Sequence, residues 1–387
     1  MKRFKVFMQS IKQRLVSLFY YLKYRKLPIC KKILAISYAG KQYSDSPRVV
    51  CEKVLEMFPG YAIVFCLIDG ANKFFLPDGI KIINPKNKNI FYRELFSSSV
   101  FLTNEDISCS IRKKKGQLFI QFWHADRAIK KVLYDGFKKP FEIPPVLDDK
   151  YTDICVAGSD IGESVYRTAF KFKGKILKIG MPRNDCLVSS ESRIKKDIFL
   201  SYYGIDPNKN ILLYAPTFRD NISKAQISTI DINATLSELK RKTHKEWICL
   251  VRAHSASLGI QVTFENNIID VTDYPDMSDI LCSSDMLITD YSSCSGDFVI
   301  TKKPIIIAAF DIDEYIEKCR DFRVPLMETG YLVARNQEEL NKLIATLESN
   351  DYTQSCEKVI KYFGITEYGN SADAICKIII NNGSEIL

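Results

Sequence analysis

Short apolar runs recur along the chain, and the stretches between them place apolar residues three and four apart. The first pattern marks buried strands and the second marks helices packed on them. Strands are predicted at Lys32–Tyr38, Tyr61–Ile68, Ile80–Ile83, Val100–Leu102, Leu118–Trp123, Tyr151–Ala157 and Ile176–Ile179. A second series follows at Asn210–Tyr214, Trp247–Val251, Ile268–Ile269, Met286–Thr289, Ile305–Ala308 and Gly330–Ala334. Helical patterns lie at Pro47–Met57, up to about Ala169, and at Ser192–Tyr203, Asp276–Cys282, Cys294–Thr301, Asp311–Arg320, Asn336–Leu347 and Asn370–Ile380. Strands alternating with helices predict an α/β fold whose mostly parallel sheets are covered by helices. Asp206–Pro207 breaks the pattern, so domains are expected at 28–204 and 205–365. The tail, 366–387, reads as a final helix of the kind that often crosses back to the first domain.

Residues 1–27 stand apart. Phe4, Phe7, Met8, Ile11, Leu15, Leu18, Phe19 and Leu22 fall on one stripe of a helix that Pro28 ends. Eleven lysines and arginines precede Asp45, the first acidic residue, so the rest of a chain of net charge +9 sums to −2. The basic character therefore belongs to the terminal segment, and a nucleic-acid-binding body is not predicted. An aromatic, basic helix fits the anionic surface of a membrane, on the cytoplasmic face and peripheral. The competing reading is a helix docked on its own domain. No apolar run reaches the ~20 residues a spanning helix needs. The 12 cysteines show no metal or redox spacing, which predicts free thiols. At 387 residues, 46% of them hydrophobic, the chain has material for two or three domains.

Candidate chemistry sits where apolar runs end. The stretch Asp270–Phe310 reads strand, turn, helix, strand, and its turn is Asp290-Tyr291-Ser292-Ser293. Unpaired N–H groups at a helix start attract phosphate, and Ser292 and Ser293 add hydroxyls. The plainer reading is that Asp290, Ser292 or Ser293 only caps the helix. His124 follows the run Leu118–Trp123, where open α/β sheets bind ligands; it also suits a structural histidine. Arg252 and His254 follow Trp247–Val251 two residues apart, so they project to one side of an extended segment. That pair suits a diphosphate, and an exposed polar loop is the alternative. Arg183 is placed either on an anion or on Asp185. His244 lies in a charged stretch and reads as surface.

FWHADRAIKK (122–131), GMPRND (180–185), LLYAPTFRD (212–220), RAHS (252–255) and the stretch 270–311 occur together in one order and spacing. Together they resemble the CDP-glycerol glycerophosphotransferase family of teichoic-acid and capsule synthesis. The resemblance runs from about Lys32 to Leu347. It implies a GT-B-like architecture of two Rossmann-like domains facing across a cleft. It also implies transfer of a polyol phosphate from a CDP-activated donor to an acceptor hydroxyl, with release of CMP. His124 and His254 match the family's two histidines and are the expected catalytic residues. Thr217, Arg219, Arg252, Asp290, Ser292 and Ser293 are placed on the donor, with Asp290 and Asp297 shaping the turn. Departures are Ala125 where the family has glycine, Ser255 where it has proline, and DFRVPLME at 321–328.

The chemistry then expected is attack of a hydroxyl on the β-phosphorus, with His124 as proton acceptor. The donor is CDP-glycerol or CDP-ribitol. No cofactor or metal is obligatory, and Mg²⁺ on the substrate is compatible with the scheme. The acceptor is expected to be a lipid-linked or polymeric glycan. Nothing in the pattern bears on oligomeric state. The rival functions are a nucleotide-sugar glycosyltransferase of the same architecture and a non-catalytic membrane scaffold.

Overall fold

The apolar runs pair into two separate, wholly parallel sheets, one in each of two units. The computed structural model describes residues 2–72, 75–105, 111–136, 151–217, 230–253, 267–319 and 321–381. One unit comprises Met1–Asp126, Val132–Asp185 and Thr366–Leu387; the other comprises Arg127–Lys131 and Cys186–Ile365.

The first unit contains α1 (Lys2–Tyr24), β1 (Cys30–Ile36), α2 (Asp45–Met57), β2 (Ala62–Cys66), β3 (Ile80–Ile83) and α3 (Lys88–Ser97). It continues with β4 (Ser98–Thr103), β5 (Leu118–Gln121), α4 (Leu133–Gly136), β6 (Ile154–Ala157), α5 (Asp160–Thr168) and β7 (Lys175–Lys178). The sheet order is β3-β2-β1-β4-β5-β6-β7. Order reverses between β1 and β4, where Ile33 faces Ile63 on one side and Val100 on the other. Ligands of doubly wound sheets bind beyond the strand carboxyl ends at this switch point. Ile33, Leu34, Ala35, Val100 and Leu102 are all but fully buried, as expected for strands covered on both faces. β5 stops short of the predicted Trp123, because Trp123 turns the chain with φ +48.

α1 docks on this unit with a face other than the predicted stripe. Val16, Tyr20, Tyr21 and Tyr24 pack against the cluster that holds Phe91, Tyr92, Leu95 and Phe96. Tyr20 stacks on Tyr92 at 4.6 Å, and Ser17 Oγ accepts the Arg112 N–H. Leu15, Phe19 and Leu22, on the predicted stripe, are 55–61% exposed. Among the described residues no helix is long and apolar enough to cross a membrane.

The second unit contains α6 (Glu191–Tyr203), β8 (Asn210–Ala215), α7 (Ile232–Thr243), β9 (Trp247–Val251), β10 (Ile268–Asp270) and α8 (Met277–Ser283). Then come β11 (Met286–Thr289), α9 (Cys294–Phe298), β12 (Ile305–Ala308), α10 (Ile312–Lys318), β13 (Leu332–Ala334), α11 (Gln337–Thr346) and α12 (Ser349–Phe363). Its order, β10-β9-β8-β11-β12-β13, repeats the 3-2-1-4-5-6 Rossmann pattern, with the switch point between β8 and β11. This unit begins near Cys186, ahead of the break read at Asp206–Pro207. The reason is α6. Phe199 packs edge-on against Tyr274, and Lys195 and Lys196 pair with Asp279 and Asp285.

α13 (Ser371–Ile380) belongs to the first unit. Ile375, Cys376 and Ile379 join Val50, Cys51 and Val54 of α2 in one core. The Asp185 carboxylate accepts the Ser371 and Ala372 N–H groups at 3.0 and 2.7 Å, a negative charge at a helix start. Helices α3, α7 and α12 lie in stretches for which the periodicity raised no prediction. Two of them bury little: α7 buries Ile232, Leu236 and Leu239, and α12 buries Cys356, Val359 and Phe363.

Candidate functional site

In the first unit, three segments leave adjacent strand ends around the switch point. β1 leads into Ser37–Tyr38, β4 into Asn104, and β5 into Trp123–His124. His124 Nδ1 lies 3.1 Å from the Asn104 carbonyl oxygen. A carbonyl only accepts, so Nδ1 carries the proton and Nε2 of the neutral ring holds the lone pair. The Tyr38 ring lies 5.5 Å from the imidazole, and Trp123 lies 4.2 Å from it. Tyr38 Oη donates to Asp45 Oδ2 at 2.8 Å. Asp45 opens α2, is buried, and has Arg183 Nη1 at 3.6 Å. Arg183 also donates to the Trp123 carbonyl at 3.1 Å. Its ionic partner is therefore Asp45, and Asp185, the partner weighed from sequence, caps α13 instead.

Backbone strain gathers at the same place. Tyr38, Ala39, Asp45 and Trp123 have φ values of +47, +55, +64 and +48. Such conformations cost on the order of 1 kcal/mol each for residues with a Cβ, and they cluster at functional sites. Burial pushes the Glu105 carboxyl up, and Lys41 pulls it partly back. Asp126, two residues beyond His124, fixes the loop. Its carboxylate accepts the Gly158 N–H at 3.1 Å and the Ser159 hydroxyl at 2.9 Å, at the start of α5. A Cβ on Gly162 would fall 1.8 Å from Asp126 Oδ1, so any larger residue there must displace that carboxylate.

In the second unit the switch point is tied shut by Asp290. Its two carboxylate oxygens accept the Thr217 N–H at 2.8 and 2.9 Å, and Oδ1 also accepts the Thr217 hydroxyl and the Tyr291 N–H. The end of β8 is thus stapled to the end of β11. Ser292 Oγ accepts the Cys294 N–H at 3.4 Å, and the Ser292 carbonyl accepts the Ser295 hydroxyl at 2.8 Å. Ser293 occupies the position before α9 and makes no side-chain cap bond. The predicted helix over Cys294–Thr301 is α9 followed by a 3₁₀ turn, Val299–Thr301. Arg252 Nη1 donates to the Val271 and Tyr274 carbonyls at 3.2 and 2.8 Å, bracing the turn after β10. His254 and Arg219 lie outside the described residues. His244 is exposed and ends α7.

Asp297 is explained by the segment 127–131. Arg127 Nη1 donates to Asp297 Oδ1 at 2.6 Å, and both are buried. Gly296 lets this happen, since a Cβ there would lie 2.5 Å from Arg127 Cβ. The divergent stretch 321–328 completes the same cluster. The Lys131 N–H donates to the Asp321 carbonyl at 2.9 Å, and the Arg323 N–H to the Ile129 carbonyl at 2.8 Å. Phe322 packs on Tyr291, whose hydroxyl reaches Asp311 Oδ1 at 3.0 Å.

The sequence reading missed Tyr38, Asp45 and Asn104. A signal for the first two was present: the break after β1, SYAGKQYSDSP (37–47), is a polar turn at a strand's carboxyl end. Asn104 had no such marker. Among the described residues there is no group of three or more His, Cys, Asp or Glu side chains placed to hold a metal ion.

The profile of the CDP-glycerol:poly(glycerophosphate) glycerophosphotransferases matches residues 18–381. A teichoic acid poly(glycerol phosphate) polymerase of Staphylococcus epidermidis is 30% identical over 77% of this chain and 43% of its own length. The chain thus spans under half the length of that polymerase. A teichoic acid glycerol-phosphate transferase of Staphylococcus aureus is 25% identical over 92% of this chain and 94% of its own. The solved structure of the wall teichoic acid polymerase TagF superposes with a TM-score of 0.80 at 25% identity, covering 99% of this chain and 98% of that one.

Proposed function

We propose, given that the chain belongs to the CDP-glycerol:poly(glycerophosphate) glycerophosphotransferase family, that it transfers glycerol phosphate from CDP-glycerol to a hydroxyl of a lipid-linked or polymeric acceptor. CMP leaves, and the product is a teichoic-acid-like or capsule polymer. The observation that carries the reading is the orientation of His124. With Nδ1 bonded to the Asn104 carbonyl, Nε2 is the basic nitrogen, at the carboxyl end of β5 beside the switch point.

The acceptor oxygen attacks the β-phosphorus while Nε2 takes its proton. The bond from that phosphorus to the bridging oxygen breaks, and the electron pair leaves on CMP. Negative charge grows on the leaving phosphate, and cations and N–H donors stabilise it. In this reading Arg252, Ser292 and Ser293 serve the donor, together with Arg219 and His254, while Thr217 and Asp290 hold the strand ends beneath it. The GT-B-like arrangement, acceptor on the first unit and donor on the second, is part of the proposal.

The exposed stripe Leu15, Phe19 and Leu22, set among Lys12, Arg14, Lys23, Arg25 and Lys26, supports peripheral attachment to an anionic membrane. That would hold the enzyme on the cytoplasmic leaflet, where a lipid-linked acceptor presents its headgroup.

A donor screen tests the function. Purified chain and membrane acceptor are given CDP-glycerol, CDP-ribitol, or UDP- and GDP-sugars, and nucleotide release is followed. Release of CMP from CDP-glycerol above all others is expected. Preference for CDP-ribitol would reassign the polyol, and turnover of a nucleotide sugar alone would overturn the reading.

A further inference from the structure

We propose that Asn104 is the positioning residue of the site: one fully buried side chain and its own carbonyl set both the tautomer of His124 and the seat of Tyr38. The inference rests on His124 acting as the base, and deepens that reading.

Asn104 follows β4 directly at the switch point and is 0% exposed. Its carbonyl oxygen accepts from His124 Nδ1 at 3.1 Å. Its side-chain Oδ1 accepts the Tyr38 N–H at 3.0 Å. Tyr38 is one of the strained residues, with φ +47, and its ring stands 5.5 Å from the imidazole. Two walls of the site therefore hang from one residue. The amide orientation follows from the network, because the flipped amide would set an NH₂ against the Tyr38 N–H.

The other half of that amide shows what the residue is for. Asn104 Nδ2 is buried and has no hydrogen-bond partner among the described residues. A buried donor left unsatisfied costs about 1–3 kcal/mol. An apolar residue would remove that cost but would also release Tyr38. The cost is borne where it fixes the geometry of the site. Nδ1–H is the reverse of the tautomer that an unconstrained histidine side chain favours, so His124 needs this carbonyl held in place to present Nε2 as acceptor.

The test uses the full chain with ¹⁵N-labelled histidine, in which only three imidazoles report. Long-range ¹H–¹⁵N spectra read the His124 tautomer directly, and CMP release from CDP-glycerol gives kcat and KM. In wild type His124 is Nδ1–H. Asn104→Ala keeps the backbone carbonyl and so should keep Nδ1–H, but it releases the Tyr38 N–H and should lower kcat about tenfold or more with KM within about twofold. Asn104→Asp keeps an acceptor for the Tyr38 N–H and should restore most of kcat. Wild-type His124 found as Nε2–H, or a folded Asn104→Ala with the wild-type kcat, overturns the proposal. If Asn104→Ala fails to fold, Asn104→Ser, too short to reach the Tyr38 N–H, replaces it with the same two outcomes. His124→Ala turning over at the wild-type rate would remove the base assignment instead, while the tautomer result would still stand on its own.

Discussion

Asp290 shows how a polar residue at a ligand-binding position can be used up by the protein itself. Four hydrogen bonds from three groups converge on its carboxylate, at 5% exposure. Removing it takes the shared acceptor from the half-buried Thr217 donors and the buried Tyr291 N–H. Asp290→Ala should therefore cost about 3 kcal/mol of stability, and Asp290→Asn about half as much, because it keeps an acceptor. Urea denaturation measures both; an alanine variant as stable as wild type would refute the staple. The place of His124 was legible from sequence because it follows an apolar run, at the carboxyl end of a strand, where sheets bind ligands. Asn104 was illegible for the opposite reason: a buried asparagine after a strand carries no periodicity, and its meaning lies in two long-range bonds. Arg183 was half legible. Its need for an anion was plain, but the choice of Asp45 over Asp185 depends on how α2 and α13 pack.

At the scale of elements, strands were read within a few residues because short apolar runs bounded by polar breaks match the length of buried strands. Helices such as α7 and α12 were not, since each shows the core only three apolar residues on an otherwise polar surface. α1 combines two readings that the sequence set against each other. Its tyrosine face docks, and its Leu15–Phe19–Leu22 stripe faces solvent. A Leu15→Glu/Phe19→Glu/Leu22→Glu variant should fold normally and lose sedimentation with phosphatidylglycerol vesicles, given about 1.5–3 kcal/mol for each large apolar side chain buried. Binding equal to wild type would exclude this stripe as the anchor.

The adjoining helix α3 supplies a pH test. Burial works to raise the Glu94 carboxyl, but hydrogen bonds from Lys32 and Lys81, each at 2.6 Å, outweigh it and hold it below its usual value. A depressed carboxyl stabilises the fold above the unfolded-state value, about 4.3, and loses that contribution as pH falls through its folded value. Glu94→Gln should be about 1 kcal/mol less stable than wild type at pH 7, with the gap closing below pH 4. A gap independent of pH would contradict the assignment.

For the whole molecule, two sheets of one strand order place their switch points at the ends of β1 and β4 and of β8 and β11. The first carries the imidazole, the second a stapled turn ahead of two serines. The alternation of patterns made this duplication readable; the segment 127–131, which follows His124 in sequence yet belongs to the second unit, was not readable, because Arg127, Gly296 and Asp297 gain meaning only together. The central claim is that His124 is the base of a CDP-glycerol-dependent transfer. It is tested most directly by timing CMP release from CDP-glycerol with membrane acceptor, using wild type and folded His124→Ala. The account predicts a fall in kcat of about 10²-fold or more with KM for CDP-glycerol within about twofold; release by the variant at the wild-type rate would contradict it.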